Sequence, residues 1–311
     1  MNDQYDKNCI CNISDVGVVD VTGEDAESFL QAQLTSDIKA LDAQHWQRSA
    51  YCNPKGRVIA ILEIVRKNDG FSVITHADLL APLVKRLSIY VLRAKVQFNA
   101  LEGVQSIGVS GRNVGTLLQE QWPELASDNL AALWHDEVLI RCIGSASPRL
   151  MFTGPADKIS ALQQQLGVDH VDVSGDEWKR FNIIDGIPSV CSTTSEQFIP
   201  QALNLDLIDG VSFNKGCYPG QEIVARVHFL GKTKQRMRLA HVSADTSLAP
   251  GDPVYREGQE QRAGTIVDAV CNKAGCDALI SINSNDNEKF YADSSPDALV
   301  EWLDLPYAVV T

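Results

Sequence analysis

The run Lys215-Gly216-Cys217-Tyr218-Pro219-Gly220-Gln221-Glu222 concentrates an amine, a thiol, a phenol, an amide and a carboxylate within eight residues. Two glycines and a proline in the same run enforce a sharp bend. If residues 215–217 are extended, Lys215 and Cys217 face the same side, because strand side chains alternate. An ammonium beside a thiol favours the thiolate. A helix over Gln221 to Val227 would add the positive end of a helix dipole. On that reading Cys217 is the most reactive of the eight cysteines. A structural turn holding a buried cysteine accounts for the same residues equally well.

From Lys215 to Arg238 six cations (Lys215, Arg226, Lys232, Lys234, Arg236, Arg238) face one acid, Glu222, in a chain of net charge −13. That asymmetry points to a local site for an anion: a polyglutamate tail, a phosphate or a nucleic-acid edge. The bland alternative is a solvated loop and strand edge. With 27 Lys and Arg against 40 Asp and Glu, general electrostatic binding of nucleic acid is excluded, so direct tRNA binding is not expected. The cysteines are scattered, with no C-x-x-C pair, so neither a disulfide framework nor a metal site is expected. Cys9 and Cys11 read as incidental thiols in a frayed terminus. The histidines show no H-x-x-x-H pair, and neither G-x-G-x-x-G nor G-x-x-x-x-G-K-[ST] occurs. The N-terminal residues lack the basic and apolar regions of a leader, and no apolar run has the length of a bilayer span. A soluble, cytoplasmic monomer is expected.

The elements that must position these groups follow from periodicity. Strands are predicted at 16–21, 58–65 and 71–74, with helices from Ala26 to Leu34 and from Asp78 to about Leu92. Asn53-Pro54-Lys55-Gly56 and Asn68-Asp69-Gly70 are turns. Residues 104–175 read β-α-β-β-α-β: strands 106–109, 138–143, 150–152 and 168–173, with helices 113–121 and 155–166. Gly167 marks the end of the second helix, and 122–136 reads as loop. A short helix spans 178–184, and 186–214 is a long irregular connector. Short strands at 237–242, 253–255, 264–270 and 278–282, with a turn at Asn285-Asp286-Asn287, predict a small β-barrel. The fold class is α+β, with ferredoxin-like α/β domains and a C-terminal barrel. The expected division is 1–103 with 176–235, 104–175, and 236–311.

The octapeptide resembles the K-G-C-[FYW]-x-G-Q-E signature of the YgfZ family, whose members are folate-binding proteins linked to tRNA modification and iron–sulfur enzyme maintenance. That family is similar in fold to the glycine-cleavage T-protein, an aminomethyltransferase. Thr22-Gly23-Glu24-Asp25-Ala26 with Phe29-Leu30-Gln31 and Thr35-Ser36-Asp37, the turn Asn53-Pro54-Lys55-Gly56-Arg57, and Ile199-Pro200-Gln201-Ala202-Leu203-Asn204-Leu205 resemble further family blocks in the same order.

The resemblance implies a three-domain ring with tetrahydrofolate or a one-carbon derivative at its centre. It assigns catalytic roles to Cys217 and Lys215. It places Trp178, Asp185, Tyr218, Gln221, Glu222 and Arg226 around the cofactor, the indole suiting a flat pterin and the carboxylate its N–H donors. Iron–sulfur enzymes that thiomethylate tRNA are the implied, indirect partners. Asp185 stands where the family more often has glutamate, and Val16 where close relatives can carry tryptophan. Gly56 to Ile61 lacks the acid that aminomethyltransferases hold near the folate nitrogen. An accessory factor is therefore the primary expectation, and a folate-dependent aminomethyl or one-carbon transferase the alternative.

Overall fold

The computed structural model describes residues 8–111, 114–125, 130–144, 149–166, 170–230, 235–243, 247–283, 288–292 and 298–309. The architecture is α+β. One six-stranded sheet contains the expected β-α-β-β-α-β series, as β7 (Val104–Ser110), α3 (Val114–Gln121), β9 (Val138–Ile143), β10 (Arg149–Pro155), α4 (Ala156–Leu166) and β11 (His170–Val173). Positions 113, 167 and 168, named for its helix and strand ends, lie outside the described residues. Two further strands, β1 (Asn8–Ile13) and β8 (Ala132–His135), complete the order β11-β1-β7-β10-β9-β8.

β1 runs parallel to β11 and antiparallel to β7. Cys9 and Cys11, expected in a frayed end, are thus buried in a strand with a neighbour on either side. A six-residue strand paired to partners far along the chain leaves little local signal. Likewise β8 lies in the stretch expected as loop and pairs with β9. Ile10, Ile107, Leu118, Trp122, Ile140 and Phe152 pack together as this sheet's core, with the Trp122 and Phe152 rings 5.2 Å apart.

The second sheet has the order β3 (Trp46–Cys52), β4 (Val58–Lys67), β5 (Gly70–His76), β2 (Val16–Thr22), β6 (Gln97–Ala100). The long apolar run at 58–65 becomes β4. α1 (Ala26–Gln33) and α2 (Ala77–Ser88) accompany this sheet in sequence, and α2 stops at Ser88 rather than Leu92.

The third sheet is the barrel-like one: β16 (Phe290–Ala292), β13 (Pro253–Arg256), β14 (Arg262–Asn272), β15 (Gly275–Ile282), β12 (Arg236–Val242), β17 (Val300–Leu303). Val254, Ile266, Ile280 and Phe290 lie in its core. Cys271 and Cys276 face each other across the β14–β15 hairpin and form a disulfide, which the scattered cysteine pattern did not lead us to expect. A spacing of five is that of cross-strand partners around a tight turn, and their Cα atoms are 4.0 Å apart. The turn at 285–287 lies outside the described residues. Among the described residues no helix is long and apolar enough to cross a membrane.

The chain forms two compact units. One comprises Met1–Leu30, Ile38–Gln47 and Leu62–Trp178; the other comprises Gln31–Asp37, Arg48–Ile61 and Lys179–Thr311. α5 (Gly175–Ile184) follows β11, and its second half opens the long connector of the second unit. There Lys179 pairs with Asp268 at 2.6 Å and Arg180 with Asp277 at 2.7 Å, tying the helix to the barrel strands. The connector is irregular, as expected, apart from one 3-10 turn at Pro200–Leu203.

Asn204 follows that turn in the left-handed region, φ 55°. Its side-chain amide donates to the Met237 carbonyl at 2.8 Å and accepts from the Met237 N–H at 3.2 Å. It thus stands in for a neighbouring strand where β17, whose pairing with β12 starts at Leu239, does not reach. Arg236 is held alongside by Asp206 at 2.7 Å. Truncating Asn204 leaves two buried backbone groups unmatched, each costing about 1–3 kcal/mol. Asn204→Ala is therefore expected to lower unfolding stability by about 2–4 kcal/mol in urea titrations. A loss below about 1 kcal/mol would remove this bond pair from the account of how the barrel is held.

Candidate functional site

Two glycine turns of the second unit meet backbone to backbone. In the first, Asn53 Oδ1 accepts the N–H groups of Lys55 at 2.9 Å and Arg57 at 3.0 Å, and Asn53 Nδ2 donates to Glu196 at 2.5 Å. The turn closes on Gly56, φ 70°. The second turn closes on Gly220, φ 81°, immediately before α6 (Gln221–Phe229). A Cβ on Gly220 would lie 2.5 Å from the Asn53 carbonyl oxygen and 2.6 Å from the Gly56 Cα. Both the left-handed backbone and the close approach require glycine. The helix expected after the signature is thus present, starting where the bend ends.

Lys215 anchors the signature from its other end. Its ammonium donates to the carbonyl oxygens of Gln31 and Leu34, both at 2.6 Å, and of Ser36 at 2.8 Å. The last turn of α1 carries no basic residue. Lys215 supplies the positive charge that its exposed carbonyls and dipole favour. Burial draws the Lys215 pKa down to about 8, and Asp37 opposes that shift. The ammonium also lies 5.4 Å from the centre of the Tyr218 ring. Tyr218 is buried, which pushes its phenol pKa up, as does the neighbouring Cys52. The Cys52 thiol is itself raised to about 12 by full burial.

Between these anchors Cys217 is exposed. The adjoining Gly216 has open space where a side chain would stand. Cys217 is the one exposed free thiol; Cys9, Cys11, Cys52 and Cys142 are buried and Cys191 is partly covered. Lys215 sits in a bend, and among the described residues 215–217 pair with no strand. The three N–H donors of Lys215 go to carbonyl oxygens, and among the described residues no hydrogen bond joins it to Cys217. The Lys215 amine is thus engaged by the carbonyls that anchor the loop.

The other candidates fall on both units. Gln221 is half-buried at the start of α6. Glu222 and Arg226, exposed one turn apart on it, pair with each other at 3.1 Å. Trp178 falls in the first unit and Asp185 in the second. Trp178 is 4% exposed. It lies against Gly108, where a Cβ would come within 2.2 Å of the indole, and the Arg149 guanidinium sits 4.8 Å from the ring centre. Asp185 is buried at the end of α5.

The basic segment is also largely compensated. Lys215 is caged by carbonyls, Arg226 pairs with Glu222, Arg236 with Asp206, and Arg238 lies over Trp302 at 4.4 Å. Lys232 and Lys234 lie outside the described residues. Among the described residues no group of three or more His, Cys, Asp or Glu is placed to hold a metal. Sequence reasoning missed the carbonyl cage and Cys52 beneath Tyr218. The Thr35-Ser36-Asp37 block was the available signal for the cage.

Lys215→Met keeps most of the side-chain volume but removes the lysine donor from the three carbonyls. It is expected to cost about 2–4 kcal/mol. The folded-state pKa of Lys215 lies below its unfolded value of 10.5. The unfolded chain therefore binds more protons between about pH 8 and 10.5, and stability from this group rises with pH through that window. The melting-temperature gap between wild type and Lys215→Met should accordingly widen from pH 8 to pH 10. A constant gap would show that the amine titrates as in the unfolded chain.

No protein-family model matches the chain. A protein of Photorhabdus laumondii named tRNA-modifying protein YgfZ is 32% identical over 268 residues, which cover 84% of this chain and 80% of that one. Its namesake from Photobacterium profundum is 27% identical over 319 residues, covering 99% and 94%. The crystal structure of glycine cleavage system aminomethyltransferase T from Bartonella henselae matches 95% of this chain and 84% of that one, with a TM-score of 0.74 at 13% identity. The fold is thus that of the aminomethyltransferase. With sequence identity sustained across most of both chains, the protein belongs to the YgfZ family.

Proposed function

We propose that this protein supports tRNA modification, as the name of its relatives suggests, and that it acts through the Cys217 thiol as an accessory factor to iron–sulfur enzymes that thiomethylate tRNA. The observation that carries this reading is the presentation of Cys217. Lys215 is held in carbonyls on one side and Tyr218 is buried on the other, so the residue near the middle of the bend faces water. A loop needed only for packing would gain nothing from an exposed sulfur between two fixed anchors. The transferase alternative lacks support at Gly56 to Ile61, where no acid stands.

Tetrahydrofolate or a one-carbon derivative is the ligand that the resemblance implies. The residues do not fit a stacked pterin as they stand, because Gly108 and Arg149 already cover the buried Trp178 indole. A pterin would reach that ring only after the guanidinium moved aside. Titration of tetrahydrofolate against wild type and Trp178→Phe is therefore expected to give equal affinities, with Trp178 a packing residue. Binding about tenfold weaker to the variant, about 1.4 kcal/mol, would instead show that the pterin reaches the indole.

Cys217→Ala is expected to abolish restoration of thiomethylated tRNA in a deletion strain while leaving the melting temperature within about 2 °C of wild type. Brief iodoacetamide treatment of the native protein should label Cys217 first and leave Cys52 unlabelled, as mass spectrometry would read directly. Full activity of the alanine variant would reduce the loop to a structural element.

A further inference from the structure

Between Asp78 and Glu102 the sequence holds four cations, Lys85, Arg86, Arg93 and Lys95, and no acid. α2 ends at Ser88, inside this stretch, and the chain turns outward. Ile89 is 66% exposed, Tyr90 46% and Leu92 89%. Leu92 adopts φ 47°, the left-handed region that glycine or asparagine occupies without strain. The fold gains no burial from this leucine in return. A strained backbone position carrying an apolar side chain into water is a feature that stability alone does not explain. Lys85 and Arg93 are exposed beside it, and among the described residues neither has an ion-pair partner, whereas Lys95 is matched by Glu24 at 2.7 Å.

We propose that Ile89, Tyr90 and Leu92, flanked by Lys85 and Arg93, form a docking surface for an acidic, amphipathic segment of a partner protein. The unmatched cations select negative charge. Two branched aliphatic side chains, the more exposed part of the patch, select apolar anchors, whereas Tyr90 is its single flat ring and single-stranded nucleic acid stacks on successive rings. An anionic bilayer would meet the repulsion of a chain of net charge −13. A short peptide engages only the patch lying within the Debye length of about 8 Å.

The test titrates the full chain with four partners: a labelled amphipathic helix bearing leucines on one face and glutamates on the other, its counterpart with lysines for glutamates, phosphatidylserine vesicles, and a single-stranded RNA. The glutamate helix is expected to bind at least about tenfold more tightly than any other. The pair Lys85→Glu and Arg93→Glu should weaken it about tenfold, and so should Leu92→Gly. Leu92→Gly should also leave the melting temperature unchanged or raised, since glycine relaxes the left-handed turn. Equal binding of the lysine helix, preference for RNA or vesicles, or self-association of the chain through these residues would overturn the proposal. So would a fall in the melting temperature of Leu92→Gly, because the leucine would then serve the fold.

Discussion

An ammonium enclosed by three carbonyl oxygens is the interaction on which the signature loop depends. Lys215 reaches back to the end of α1 and makes three carbonyl oxygens partners of one charge. This places the loop relative to a segment far earlier in the sequence, and it does so with a group whose desolvation is itself costly. The arrangement is stable because the helix end already favours a cation there. With Lys215 committed, Tyr218 turns inward, Gly220 meets Gly56, and Cys217 is left outside.

The same economy of contacts joins the long connector to the barrel. Asn204 completes the edge of β12 with a side chain in place of a strand. Asp206 receives Arg236, and Asp277 receives both Arg180 and His241, the latter at 2.8 Å. A connector of this length without regular structure needs such point attachments, since it has few backbone ladders of its own. Arg236, one of the cations counted in the basic segment, is the cationic half of one of these attachments.

Much of the fold was legible in local pattern. The ten residues of β4, the helix after Gly220 and the β-α-β-β-α-β series follow from periodicity and turn residues. What escaped was non-local. β1 has meaning only beside β7 and β11, so Cys9 and Cys11 looked like the end of a loose tail. The Cys271–Cys276 bridge needed the hairpin register, which composition does not contain. At the site, residue types singled out the loop that holds the exposed Cys217, whereas the cage around Lys215 is built with residues far earlier in the chain, which spacing within the loop does not contain. The indole of Trp178 shows the same limit: nothing in its neighbourhood along the chain announces Gly108 and Arg149 as the surfaces against it.

The abutment of Gly56 and Gly220 has a consequence for how this chain can change over time. Each turn is the mould of the other: Gly220 meets the backbone of Asn53 and Gly56, and Gly56 meets the Gly220 carbonyl and the Ile223 side chain. An inserted or deleted residue in either would be felt at once in its mate, so the two stretches are bound to drift together or stay as they are. Sterically, room for variation is left at Gly216, where a side chain would meet open space.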